Sequence, residues 1–263
     1  MRFRTALLGF ALVAVLLVLG GPGMLTPAAA ATPISQCTTI TEAGAYELVQ
    51  NLQISNYGDC LMVQADFVTI DLKGFAIFSS YRYGTAIGGF GRGLVVRGGT
   101  IYNVYTAIRG GDGLVVEQMR IVSNSIGVDG GMAGLTSSVV VKDSVFSDNN
   151  QWGVALSTGV VTGNSFTRNG TGVMSGGSNY PYGSGGSSAT IANNAFSQNN
   201  IGIQTQGPAS IQNNMIEGGY NALWITCPAH IVGNTVVRSG TPVSFQNTNV
   251  WDCTFEQNAI RQY

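Results

Sequence analysis

Residues 191–204 read IANNAFSQNNIGIQ, and residues 211–224 read IQNNMIEGGYNALW. Apolar residues and an asparagine pair return at the same places 20 residues later. Working outward from this pair, each repeat opens on an apolar anchor: Ile70, Val96, Val116, Val141, Val161, Ile191, Ile211, Ile231 and Val250. Successive spacings are 26, 20, 25, 20, 30, 20, 20 and 19 residues, a base period of 20 with three insertions. Five residues after each anchor stands a second apolar residue (Phe75, Ile101, Ile121, Phe146, Phe166, Phe196, Ile216, Val236 and Phe255). A third follows about seven later, from Ile108 to Val243. Local alternation, as in VVVKDSVF at 139–146, is a strand pattern.

Three short strands and polar turns in a 20-residue period describe an all-β solenoid, a single-stranded parallel β-helix. One coil cannot bury its own apolar residues. Stacked coils can, because each apolar column becomes a continuous internal ridge. Nine or ten coils at about 4.8 Å each would form a rod roughly 40–45 Å long. Residues 37–65 are expected to cap the first coil, where core and strand edges would otherwise be open. Two asparagine columns are expected at corners: Asn164, Asn194, Asn214 and Asn234, then Asn124, Asn149, Asn169 and Asn199. Asparagine tolerates the left-handed conformation of a tight corner, and its amide can donate to one neighbouring coil while accepting from the other.

The N-terminus reads as a separate segment. Arg2 and Arg4 precede an apolar run, then GGPG and a small-residue stretch, LTPAAAATPIS. This is the pattern of a secretory signal over residues 1–31, too short and wrongly flanked for a membrane span. Residues 32–263 then form one exported domain with no membrane span, placed in the medium, the periplasm or at the cell surface. Only 10% of the chain is charged, and with no basic patch a nucleic-acid partner is not expected. Export makes disulfides the expected state of the four cysteines. Cys37 and Cys60 close a short loop. Cys227 and Cys253 are left to pair by default, although the repeat does not put them in one column.

The pieces GNSFTRNGTGV (163–173) and GNTVV (233–237), with GDCLMVQADFVTIDLKGFAI (58–77), resemble the secreted right-handed parallel β-helix family built from pectate-lyase-like repeats. The resemblance implies a right-handed coil. It does not choose a reaction, since the family spans polysaccharide lyases, glycoside hydrolases, epimerases and proteins without activity. The paired-aspartate motifs of the hydrolases and the Trp-Ile-Asp-His signature of pectate lyases are missing here.

Charges mostly explain one another. Asp71, Arg97, Glu117 and Lys142 form one alternating column, and Asp66, Arg92 and Asp112 another. Arg109 faces Asp129, and Asp148 faces Arg168. The residual candidates for catalysis are Glu217 and Glu256, read as one column two coils apart with Arg238 between them, a separation of about 9.6 Å that approaches that of an inverting glycosidase. Asp143, beside Asp148 and Arg168, is a second candidate. No cofactor is expected, except Ca²⁺ if the protein is a lyase. His230, the single histidine, precedes an anchor and is expected to face outward. The methionines Met62, Met119, Met132, Met174 and Met215 do not share a column, which speaks against a copper site. Candidate substrate contacts are tyrosines on the insertions, Tyr81, Tyr83, Tyr180 and Tyr182, together with Trp152. Flat apolar rings with polar edges suit sugars, so a polysaccharide or cell-envelope glycan is the expected partner. A structural or adhesive envelope protein without chemistry is the alternative.

Overall fold

The computed structural model describes residues 30–55, 58–131, 138–176, 188–246 and 250–262. Among these residues there is no α-helix. The chain winds through three parallel sheets in turn, giving a β-solenoid of about ten coils. The first sheet has 11 strands and carries the anchors; the second and third have 10 each. Anchors pair in register from Tyr46 through Ile70, Val96 and onward to Ile231. The expected export signal lies outside the described residues, apart from Ala30 and Ala31.

Three sequence assignments need correction. The last anchor is Phe255, which pairs with Ile231; Val250 begins a short 3₁₀ turn instead. The second apolar column runs from Leu52 through Ile77 to Ile260, so Phe75 and Phe255 do not belong to it. Both errors come from turns longer than the base period, which a fixed offset cannot follow. Residues 37–65 do not form a distinct cap. Their strands Thr38–Ile40, Gly44–Leu48, Leu52–Ile54 and Leu61–Val63 extend the same three sheets.

Both asparagine columns are continuous buried ladders. Asn164 Nδ2 donates to Asn194 Oδ1 (3.0 Å), and the chain continues through Asn214 and Asn234 to Asn258. The second runs from Asn124 through Asn149 and Asn169 to Asn199. Each interior amide is fully engaged. Asn194 Nδ2 also donates to the carbonyls of Val161 and Ala192, while its Oδ1 also accepts the Asn164 backbone N–H. Desolvation of so many amides is tolerable only because each has partners on both sides.

The left-handed residue at each corner is not the ladder asparagine but the residue before it. Asn193 (φ 58°) precedes Asn194, Asn213 (φ 53°) precedes Asn214, and Arg168 (φ 53°) precedes Asn169. The asparagine doublet thus divides two tasks: the first residue bends the chain and the second bonds across coils. Asn258 was hidden by the misplaced anchor; it stands three residues past Phe255, where the column requires it.

The core follows from volume. Phe146, Phe166 and Phe196 stack at 4.9 and 4.8 Å, nearly parallel. Their rings lie against the glycines of the third sheet. A Cβ on Gly153 would sit 2.8 Å from Phe166, and one on Gly172 would sit 2.7 Å from Phe196. The glycine of each Asn-x-x-Gly-Val piece is therefore the space a phenylalanine needs.

Ion pairs run along the outside: Glu47–Lys73, Asp71–Arg97, Arg109–Asp129, Glu117–Lys142 and Asp148–Arg168. The expected Asp66–Arg92–Asp112 ladder is built differently. Asp66 accepts the Arg92 backbone N–H, and Asp112 accepts that of Ser138. Cys37–Cys60 and Cys227–Cys253 are both disulfides. The second pair meets because Cys253 lies beside Ala229, two residues beyond Cys227, once Phe255 is the anchor.

Four outcomes are expected. Asn194→Ala leaves buried donors and acceptors of two coils unpaired, and should cost about 2–3 kcal/mol in urea unfolding. Asn258→Ala, at the ladder's end, should cost less; equal losses would contradict the ladder. Opening Cys37–Cys60, which closes a 23-residue separation, should lower stability by about 3 kcal/mol. The Arg168 guanidinium, by hydrogen bonding Asp148, holds that carboxyl below its ordinary value of 3.8. The pair's contribution is thus present above that value and lost as pH falls through the lower folded one. Arg168→Ala should destabilise the protein only slightly at neutral pH, because the pair is exposed. The difference should vanish in acid; a difference unchanged at about pH 2 would contradict this sign.

Candidate functional site: an aromatic corner

The corner between the second and third sheets is widened at its N-terminal end. A strand of the second sheet ends at Ser79, and the next strand of the third sheet begins at Thr85. The intervening turn, 80–84, carries Tyr81, Arg82 and Tyr83. Its shape is set by hydrogen bonds. The Tyr81 N–H donates to Ser79 Oγ, Gln53 Nε2 donates to Ser80 Oγ, and Asp59 accepts the Thr85 N–H at 2.6 Å. Gly84 (φ 73°) closes the turn against Gly58, whose carbonyl leaves no space for a side chain.

One coil further on, the same corner carries Tyr105. The Gly84 carbonyl accepts both the Tyr105 and the Thr106 N–H, placing Tyr105 directly over the end of the widened turn. On the adjoining edge of the second sheet, Phe78 pairs with Tyr102, and their rings stack at 5.1 Å and 2°. Tyr81 is 76% exposed, and Tyr83, Tyr102 and Tyr105 are also open to solvent. Five aromatic rings therefore occupy two successive coils on one side of the rod. These rings form a cluster rather than scattered single exposures.

Trp152 belongs to the same corner. It heads its strand of the third sheet, in a column with Ile126, Thr106 and Thr85. Three coils separate it from Thr85, about 14 Å along the rod. It is half-buried. Tyr81, Tyr83 and Trp152, singled out separately in the sequence, thus lie along one edge. Tyr180 and Tyr182 lie outside the described residues. Phe78, Tyr102 and Tyr105 were missed. Phe78 and Tyr102 each follow an inward isoleucine of the second column, and for Phe78 this relation appears only when Ile77 takes the place of Phe75 in that column.

Two cations flank the rings. Arg82 sits between Tyr81 and Tyr83, and Arg120 is exposed on the second sheet opposite Thr100, diagonal to Tyr102. Neither takes part in the ion pairs that neutralise Arg97, Arg109, Arg168 and Arg238.

The proposed acid pair is not assembled. Glu217 lies on the second sheet, in register with Val237 and Arg261. Glu256 lies on the first sheet opposite Val232. The shared column was a consequence of taking Val250 as the anchor. Glu217 is ion-paired with Arg238, which tethers both residues. Asp148 is held by both Nε and Nη2 of Arg168. His230 projects outward between Ser210 and Thr254, as expected. Met62 and Met174 lie on the third sheet, Met119 at a corner and Met215 on the second sheet; Met132 is outside the described residues. Among the described residues, no three acidic, histidine or cysteine side chains gather as a metal-binding group. Two surface hollows near the N-terminal end are lined by residues such as Thr38, Glu42 and Tyr46, and Gln50, Gln53 and Asp59. Each contains a single carboxylate and so lacks an acid–base pair.

No helix among the described residues is long and apolar enough to cross a membrane. Two disulfides are consistent with an extracellular location. Compared with protein-family models, with curated proteins and with solved structures, the chain has no match in any of the three.

Proposed function

We propose that this is an exported β-solenoid that binds an extracellular polysaccharide, preferably an acidic one, along the corner between its second and third sheets. The observation that carries this reading is the run of exposed rings, Tyr81, Tyr83, Tyr102 and Tyr105, with half-buried Phe78 stacked on Tyr102, flanked by Arg82 and Arg120. Tyrosine faces stack on the apolar faces of sugar rings, and their hydroxyls meet sugar hydroxyls at the edge. A guanidinium offers a planar fork to a carboxylate or sulfate. Contacts from successive coils repeat at about 4.8 Å, which favours an extended polymer over a compact ligand. The paired disulfides and the N-terminal signal pattern support export. A separate reading, a structural envelope protein, draws on the outer charges, most of which are already neutralised within the rod.

Binding is tested by co-sedimentation with acidic and neutral polysaccharides, with and without Ca²⁺, while following reducing ends and unsaturated-product absorbance. The expected result is salt-sensitive binding to acidic polymers. Tyr81→Ala with Tyr83→Ala should weaken it about tenfold, the effect of losing two stacking contacts. Arg82→Gln should reduce its salt dependence. Binding unchanged in the double tyrosine variant would move the site elsewhere. Absence of binding on a broad panel would favour the structural reading. Ca²⁺-dependent unsaturated products would identify a lyase.

A further inference from the structure

The outer face of the first sheet carries an apolar stripe beside a ladder of charge. Val95, Val115, Val140 and Val160 follow one another on successive strands, each between two inward residues. The first three are half-buried and Val160 is exposed. Two residues further along the strands, Asp71, Arg97, Glu117 and Lys142 are in register on the same face. Two residues before the valines, the same register aligns Phe67, Gly93, Gly113 and Ser138. Phe67 is 72% exposed. Its ring lies over Gly93, where a Cβ would sit 2.9 Å from it. Gly113, one coil on, leaves exposed backbone without a side chain. Phe67 and the valines thus form a continuous apolar strip in the N-terminal half of the rod, edged on one side by alternating charge.

We propose that a second copy of this chain packs face to face on this surface, the two rods antiparallel. The two-fold axis runs along the strand direction, midway between Val95–Arg97 and Leu114–Glu117. Charge chooses this partner and this direction. Asp71, Arg97, Glu117 and Lys142 sum to zero, so the face selects neither a polyanion nor a polycation. Within one chain Arg97 bonds Asp71 at 3.2 Å and Lys142 bonds Glu117 at 2.9 Å. Each cation keeps further N–H donors for a second carboxylate. The two-fold axis sets Asp71 opposite the partner's Lys142, and Arg97 opposite the partner's Glu117. An axis along the rod would instead lay each charge on a valine or on its own like. The apolar residues agree with the same axis. Val95 falls opposite the partner's Val115, and Gly93 opposite the partner's Gly113. The Phe67 ring over Gly93 therefore meets bare backbone. Six strands of each copy overlap, Gly44–Leu48 to Thr158–Thr162, a patch of roughly 29 by 16 Å. That is less than the roughly 800 Å² a side of a standard interface, so the dimer should be weak and reversible. The aromatic corner lies between the other two sheets, so this inference is independent of glycan binding.

The test is sedimentation velocity on the purified protein from about 1 to about 200 µM, bracketing a weak interface. The expected result is a reversible monomer–dimer equilibrium, weakened at least about tenfold by Val115→Lys, whose added charge would face the partner's Val95. Circular dichroism must show that variant folded. A second measurement reads the register without disrupting the contact. Thr69 falls opposite the partner's Val140, whereas the two copies of Thr69, or of Val140, lie three coils apart, about 14 Å. Stacked sheets are about 10 Å apart, too far for a direct disulfide, so a bismaleimide spanning about 8 Å is used. All four native cysteines are in disulfides and do not compete for it. Thr69→Cys and Val140→Cys proteins, mixed, should give a covalent dimer, and either alone should not. A monomer at every concentration would overturn the proposal. So would a dimer unaffected by a folded Val115→Lys variant, or cross-linking no greater in the mixture than in either variant alone.

Discussion

Every part of this molecule depends on hydrogen bonds made between coils rather than within them. A coil on its own has unpaired strand edges, half-covered apolar residues and asparagine amides facing nothing. Stacking satisfies all of these together. Asn194 shows how tightly the layers are joined, since its side chain bonds backbone or side-chain atoms in the coil before and the coil after. The constraint also explains the glycines. A stack of phenylalanines fits inside so narrow a tube only where the facing strand has no side chain, as at Gly153 and Gly172.

The same constraint sorts where variation is tolerated. The two corners that flank the second sheet are occupied by ladders and left-handed residues, so most coils pass them with the same few residues. Insertions cluster at the third corner, between the third and first sheets, where no ladder runs. The widened turn at 80–84 is the exception. It falls before the Asn124 ladder begins, and there Asn103 bonds the Ser79 carbonyl instead of another asparagine. The aromatic corner thus occupies the place where the regular packing of this edge has not yet started. Loops on a rigid scaffold are where recognition commonly resides, and here the scaffold sets the rings one coil apart.

Charge is used sparingly and mostly locally. Pairs such as Asp71–Arg97 and Glu117–Lys142 contribute little individually, being exposed, but they oppose any shift of one coil against the next. The arginines left out of this scheme therefore stand out. Arg82 and Arg120 lie beside the rings, while Arg92 lies at the corner between the third and first sheets and Arg261 on the end coil.

The 20-residue period, the solenoid, the two asparagine columns and the first disulfide were legible in the sequence, because a side chain repeated in every coil leaves a periodic trace. Periodicity could not follow turns of unequal length. Between Val243 and Phe255 the turn is longer than in the two coils before it, and this displaced the last anchor, hid Asn258 and brought Glu217 and Glu256 onto one column that does not exist. Tyr81, Tyr83 and Trp152 were recognisable as residue types suited to sugars, but their common edge depends on how many residues each corner consumes. The choice between bending and bonding within an asparagine doublet was likewise decided only by the tertiary structure. Both residues are chemically able to do either task, and the backbone path around the corner assigns the left-handed conformation to the first and the ladder to the second.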